Sequence, residues 1–175
     1  MDAKWSVLGV VTDHLNTLVD RRTGRWMTRD YAAFFAFPLG VGVCAFLFEV
    51  RIANAQNLIA GVSVFTALLF GLLVHVFGLG LRVAAERSGE GALRTARMVD
   101  QLHANVAYAT LLGLVATAGL MALIVAYDQE AVPRWASAVV IAALVHLFMT
   151  LLMVLKRIRS MYAQMRRYAP FTDRT

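Results

Sequence analysis

Apolar residues in this chain gather into four long blocks, about Tyr31–Phe48, Leu58–Leu81, Val106–Tyr127 and Trp135–Leu155, separated by polar segments. Each block is close to the ~20 residues with which a helix crosses ~30 Å of hydrocarbon. None carries the polar stripe of a helix lying on a water-soluble core. The pattern predicts an all-α integral membrane protein, a four-helix bundle of four transmembrane helices. Ahead of the first block, Trp5, Leu8, Val11, Leu15, Leu18 and Val19 recur at three- and four-residue spacing, with Asp13, His14, Asn16 and Asp20 between them. That spacing predicts an amphipathic helix resting on the membrane surface, with Asp13 and His14 on its wet side. Asp30 is the expected N-cap of the first span, and Pro38 is expected to bend it.

The connections set the topology. Glu49–Asn57 and Asp128–Arg134 are short, which predicts antiparallel hairpins of spans one with two and three with four. The link between spans two and three turns at Ser88-Gly89-Glu90-Gly91. Beyond it, Leu93, Ala96, Val99, Leu102 and Val106 predict a helix that rises into the third span. The chain thus divides into an interfacial segment 1–30, a membrane domain 31–155 and a basic tail 156–175, helical until Pro170.

Charge orients these elements. Of the 17 Lys and Arg residues, five precede the first span, four lie between spans two and three, and six follow the last. The two outer connections hold only Arg51 and Arg134. The positive-inside rule then places both termini and the central link in the cytoplasm, as expected for the inner membrane of a bacterium. The basic balance is a topology signal, and with no extramembrane domain of size no nucleic-acid partner is expected. Met1–Arg29 lacks the continuous apolar core of a secretory signal. The single cysteine, Cys44, lies in the first span and is expected to be a small packing residue.

Inside the membrane, helices associate through small residues that let backbones approach. Three stripes fit: Ser63, Ala67 and Gly71; Ala109, Gly113 and Thr117; Ala138 and Ala142. They serve packing within the chain or contact with another subunit. Two of them run on to histidine, His75 after Gly71 and His146 after Ala142, with Thr150 next. Ionisable side chains at such depth face protein or water. Three readings are open for His75 and His146: neutral imidazoles hydrogen-bonded in the bundle, axial ligands of a b-type haem, or a polar lining for an ion or proton path. The leading reading involves no cofactor and no metal. No carboxylate lies within a span, and neither H-E-x-x-H nor G-x-S-x-G occurs, so no catalytic residues and no enzyme activity are expected. In the tail, Lys156, Arg157, Arg159, Arg166 and Arg167 are placed to reach anionic headgroups or a cytoplasmic partner protein.

The stretch from Asp30 to Val76, with an aromatic-rich first span, an early proline, a polar outer turn and S-x-F-x-x-L-L-F-x-L-L in the second span, resembles the first hairpin of small four-span bacterial membrane proteins that accompany antiphage systems. The resemblance covers about a quarter of the chain and carries no functional residues across. It implies a homo-oligomeric membrane component that senses or causes membrane damage. With little mass outside the bilayer, the expectation is a non-enzymatic effector or sensor, a homo-oligomer with a tetramer as its working size, that controls membrane permeability, with antiviral defence as the expected setting. The alternatives are a membrane cytochrome and an anchor or scaffold for a cytoplasmic partner.

Overall fold

A computed structural model describes residues 7–17, 28–85, 90–127 and 132–168. Five helices make up the fold: α1 (Val7–Asn16), α2 (Thr28–Leu47), α3 (Ala55–Ala85), α4 (Glu90–Tyr127) and α5 (Arg134–Tyr168). Among the described residues no strand occurs. Three apolar segments, within α3, α4 and α5, are long enough to cross a membrane: Ala55–Ala85, Thr95–Tyr127 and Arg134–Ser160. At about 1.5 Å per residue each outlasts ~30 Å of hydrocarbon, so polar ends project beyond it. On this ground the chain is a membrane protein. The apolar part of α2 is shorter, Phe34–Leu47.

The predicted helix leading into the third span is the first half of α4. The predicted basic extension of the last span is the end of α5. Ser88 and Gly89, the predicted turn, lie outside the described residues. Asp30 is not an N-cap, because α2 already begins at Thr28; Pro38 lies inside α2.

Helix pairing differs from the hairpin expectation. α4 packs antiparallel to α3 on one side and to α5 on the other, whereas α2 lies against α5 rather than α3. Three features of the outer connection carry α2 there. α2 ends in a left-handed residue, Glu49 (φ 54°), with Val50 N donating to Ala45 O and Glu49 N to Phe46 O. These are the paired bonds of a Schellman cap, in a position that usually falls to glycine. The Glu49 carboxylate then meets Arg134 at the start of α5, 3.1 Å away. Ile52 N donates to Ser137 Oγ at 3.1 Å, clasping the link to the first turn of α5. Below these contacts Gly42 lets α2 approach Ala138 and Ala142 of α5.

The core follows α4. Val62, Leu120 and Val140 pack near the α4–α5 connection, Leu69, Ala109 and Leu147 midway, and Val76, Val99, Leu102, Val106 and Val154 toward the other end. Outside this spine the surface is apolar: Phe65, Leu68, Phe77, Val125 and Phe148 are all exposed, as lipid-facing residues are. Cys44 is exposed too, so it fills no gap in the packing.

Candidate functional site

The buried polar residues concentrate where α1 meets the bundle. α1 turns Val10, Val11, His14 and Thr17 inward, at the three- and four-residue steps of one helix face. His14 is completely buried there. This corrects the wet-side expectation: Asp13 is exposed, but His14 belongs to the inner face, and α1 rests on α4.

Hydrogen bonds fix the state of each group. Asn105, fully buried on α4, donates from Nδ2 to Gln101 O at 2.6 Å, which leaves its Oδ1 as an acceptor. His14 Nδ1 lies 2.8 Å from that oxygen, so Nδ1 carries the proton and donates it. His14 Nε2 is then a bare lone pair, and among the described residues it has no partner. Thr17 Oγ1 donates to His14 O at 2.6 Å, with Asn105 Oδ1 3.1 Å away.

The His14 ring stacks on Tyr108, centroids 3.9 Å apart and planes 6° from parallel. Tyr108 in turn reaches His146, its OH 2.8 Å from Nε2. His146 Nδ1 faces the Phe34 carbonyl of α2 at 3.3 Å. A carbonyl only accepts, so Nδ1 holds the His146 proton and Tyr108 donates to Nε2. Thr150 Oγ1 donates to His146 O at 2.9 Å, and the Phe34 ring meets the imidazole edge to face. From the end of α5, Arg157 donates Nη1 to Gln101 Oε1 at 2.7 Å and Nη2 to Thr17 O at 2.8 Å. The result is a clasp in which both imidazoles are neutral and α1, α2, α4 and α5 are all tied.

Burial pushes the His14 pKa from 6.5 down to about 4; the Asn105 bond partly offsets this, and electrostatic repulsion of a second positive charge beside His146 and Arg157 adds to it. A proton arriving at Nε2 finds no acceptor among the described residues, so the docked helix favours neutral imidazole.

The predicted residues fall into two groups. Ala109 is fully buried between α3 and α5; Gly113 faces Thr66 of α3; Ala138 and Ala142 face Gly42; Thr150 is fully buried. These serve packing within the chain. Thr117 is half-buried, its hydroxyl oxygen buried without a partner. The α3 stripe is different. Ser63 is half-buried, and Ala67, Gly71 and His75 are exposed, so it looks away from the bundle. His75 and His146 therefore do not converge, and both nitrogens of His146 are already engaged. The pairing of the two rings that the haem reading requires is not formed within the chain. Among the tail cations, Lys156 and Arg159 are exposed. Arg157 is half-buried and bonded to α1 and α4 instead of reaching for lipid. Arg166 lies in α5 and Arg167 beside it.

Sequence reasoning put His14 on the wet side of its helix and passed over Asn105 and Tyr108. The signal was available for His14, which follows Val7, Val10 and Val11 by seven, four and three residues. Replacing Tyr108 by Phe is expected to keep the stack and leave His146 Nε2 unpaired. The cost is about 1–2 kcal/mol, read as earlier thermal unfolding in detergent.

No protein-family model, curated protein or solved structure matches this chain.

Proposed function

We propose that the protein is a four-span inner-membrane effector or sensor with both termini in the cytoplasm, which assembles into a homo-oligomer and controls membrane permeability, in antiviral defence or a similar response. The observation that carries this reading is the outward stripe of α3. Ala67, Gly71 and His75 are exposed at successive four-residue steps, with Ser63 half-buried above them. A small-residue track is what a neighbouring helix needs to approach, and an ionisable ring facing hydrocarbon is costly. Both features are accounted for if a second copy, or water enclosed between copies, covers the face. α2 supports the fourth span: it runs antiparallel along α5, with Phe34 against His146, Gly42 against Ala138 and Ala142, and Ile52 against Ser137. Exposed Lys156 and Arg159 suit anionic lipid or a cytoplasmic partner.

Replacing His75 by Leu is the direct test. Native mass spectrometry in mild detergent is expected to give an oligomer, tetrameric in the working reading, whose distribution or stability changes in H75L. Induction in cells is expected to release a small dye or collapse the membrane potential, and H75L to alter that leak. A monomer in every detergent and lipid tested removes the oligomer. An oligomer without leakage under any trigger turns the reading toward an anchor or scaffold. Orientation is checked separately: thiol labelling of Gln129→Cys from outside intact cells, and of Gly89→Cys only after permeabilisation, is the expected result.

A further inference from the structure

Beside the clasp a cleft of about 410 Å³ opens between α1 and α4. Its floor is Ala104 and Ala107, seven and ten residues along from Arg97 and on the same helical stripe. Small side chains there leave the space open. Thr17 and Gln101 close the inner end, both held by Arg157, so that wall is set before anything binds.

The rim is charged with both signs. Asp13 comes from α1, and Arg97, Asp100 and His103 come from α4. Among the described residues none of the four forms an ion pair, and the one ion pair is Arg134–Glu49, at the start of α5. Two carboxylates and a guanidinium, unpaired among the described residues, therefore border one cavity. The cleft lies where the polar first turns of α4 give way to the apolar run that begins at Val106, which is headgroup depth for a spanning helix.

We infer that this cleft binds the headgroup of a zwitterionic phospholipid bearing a primary ammonium, a phosphatidylethanolamine. The ammonium is held by Asp13 and Asp100 and donates hydrogen bonds to both; the phosphate is held by Arg97, with His103 as second donor. Other headgroup chemistries fit less well. An anionic headgroup without a cation meets two carboxylates. A trimethylammonium group donates no hydrogen bond and is usually held by an aromatic cage, which these walls lack. Among the described residues no three metal-ligating side chains come together to hold a bare cation. The inference needs neither the oligomer nor the orientation of the termini. It requires only that α4 spans the bilayer.

Native mass spectrometry of the full chain, offered phosphatidylethanolamine, phosphatidylcholine and phosphatidylglycerol with the same acyl chains, tests it. One phosphatidylethanolamine per chain should be retained about tenfold better than either competitor, with soluble phosphoethanolamine displacing it only at far higher concentration. A104L fills the cleft without altering charge and should abolish the preference. D13N/D100N should reduce it to parity with phosphatidylcholine, and R51Q, exposed on the link between α2 and α3 and far from the cleft, should leave it intact. Asp13 and Asp100 are exposed, so D13N/D100N is expected to fold, and the lipid comparison on the unsubstituted chain stands without it. Equal retention of the three lipids, or an unchanged preference in A104L, overturns the inference. Free phosphoethanolamine binding as tightly as the lipid also overturns it, because the ligand would then be a soluble zwitterion.

Discussion

Lowering the pH from 7.5 to 5 is expected to loosen α1 from the bundle, and replacing His14 by Gln to remove that dependence. His14 titrates at about 4 when docked and near 6.5 when free. A lowered folded-state pKa means the docked state excludes the proton. Its contribution is fully present above pH 6.5 and is lost progressively as the pH falls from 6.5 to 4. At about 1.36 kcal/mol per pKa unit the whole effect is on the order of 3 kcal/mol, of which about 2 kcal/mol is lost at pH 5. The other charges around α1 set the background. Arg157 of α5 bonds Thr17 O, and His146 lies beyond Tyr108. Asp13 of α1 and Arg97, Asp100 and His103 of α4 line the adjoining cleft. From α2, among the described side chains, the Phe34 ring faces His14. Hydrogen exchange of the α1 amides, corrected for the intrinsic pH dependence, is the measurement. Protection at pH 5 equal to that at pH 7.5 would show that the orphan Nε2 finds a partner on protonation, and the clasp would then be no pH latch. His14→Ala is expected to lose protection at every pH, because the stack and the Asn105 bond go together.

What was legible in the sequence was the length and apolarity of the helices, and what was not was the direction in which each face points. α3, α4 and α5 stand out because a run of apolar residues twenty or more long has few other uses. Inside lipid, however, the inward and outward faces of a helix are equally apolar, so hydropathy does not mark the core. The stripes ending on His75 and His146 look alike in sequence; one faces out and the other is sealed by Tyr108 and Phe34. The pairing of α2 was hidden for a related reason. The outer link is short enough for a hairpin with α3, but its partners, Ser137 and Arg134, lie some 85 residues further on. Spacing along the chain cannot express that. His14 was within reach, since its register is that of Val10 and Val11, but its polarity suggested the wet side. In α1 a hydrogen bond to a buried asparagine and an aromatic stack outweighed that polarity.

Three Gly→Val substitutions separate contacts within the chain from those between chains. A Cβ at Gly42 would lie 2.9 Å from Ala142 Cβ and 3.1 Å from Ala138 O. Neither obstacle rotates away, one being a methyl fixed to the backbone and the other a backbone carbonyl, so α2 must move off α5. A Cβ at Gly113 would lie 2.5 Å from Thr66 Oγ1, 3.2 Å from its Cγ2 and 3.3 Å from its Cβ. Turning Thr66 about χ1 does not clear all three atoms, and it would break the bond that Oγ1 donates to Val62 O at 2.7 Å. Overpacking of this kind costs about 1–3 kcal/mol, and G42V is expected at the upper end because its neighbours are the more rigid. A Cβ at Gly71 meets nothing within 4 Å in the single chain. G42V and G113V should therefore unfold earlier in a denaturant titration in detergent, and Thr66→Ala should recover part of the G113V loss. G71V should unfold with the unsubstituted chain yet disturb its oligomer, since the added bulk stands on the face proposed to meet a second copy. A G42V chain as stable as G71V would mean that α2 does not pack on α5 as closely as described. A G71V oligomer identical to that of the unsubstituted chain would move the subunit contact away from the α3 stripe.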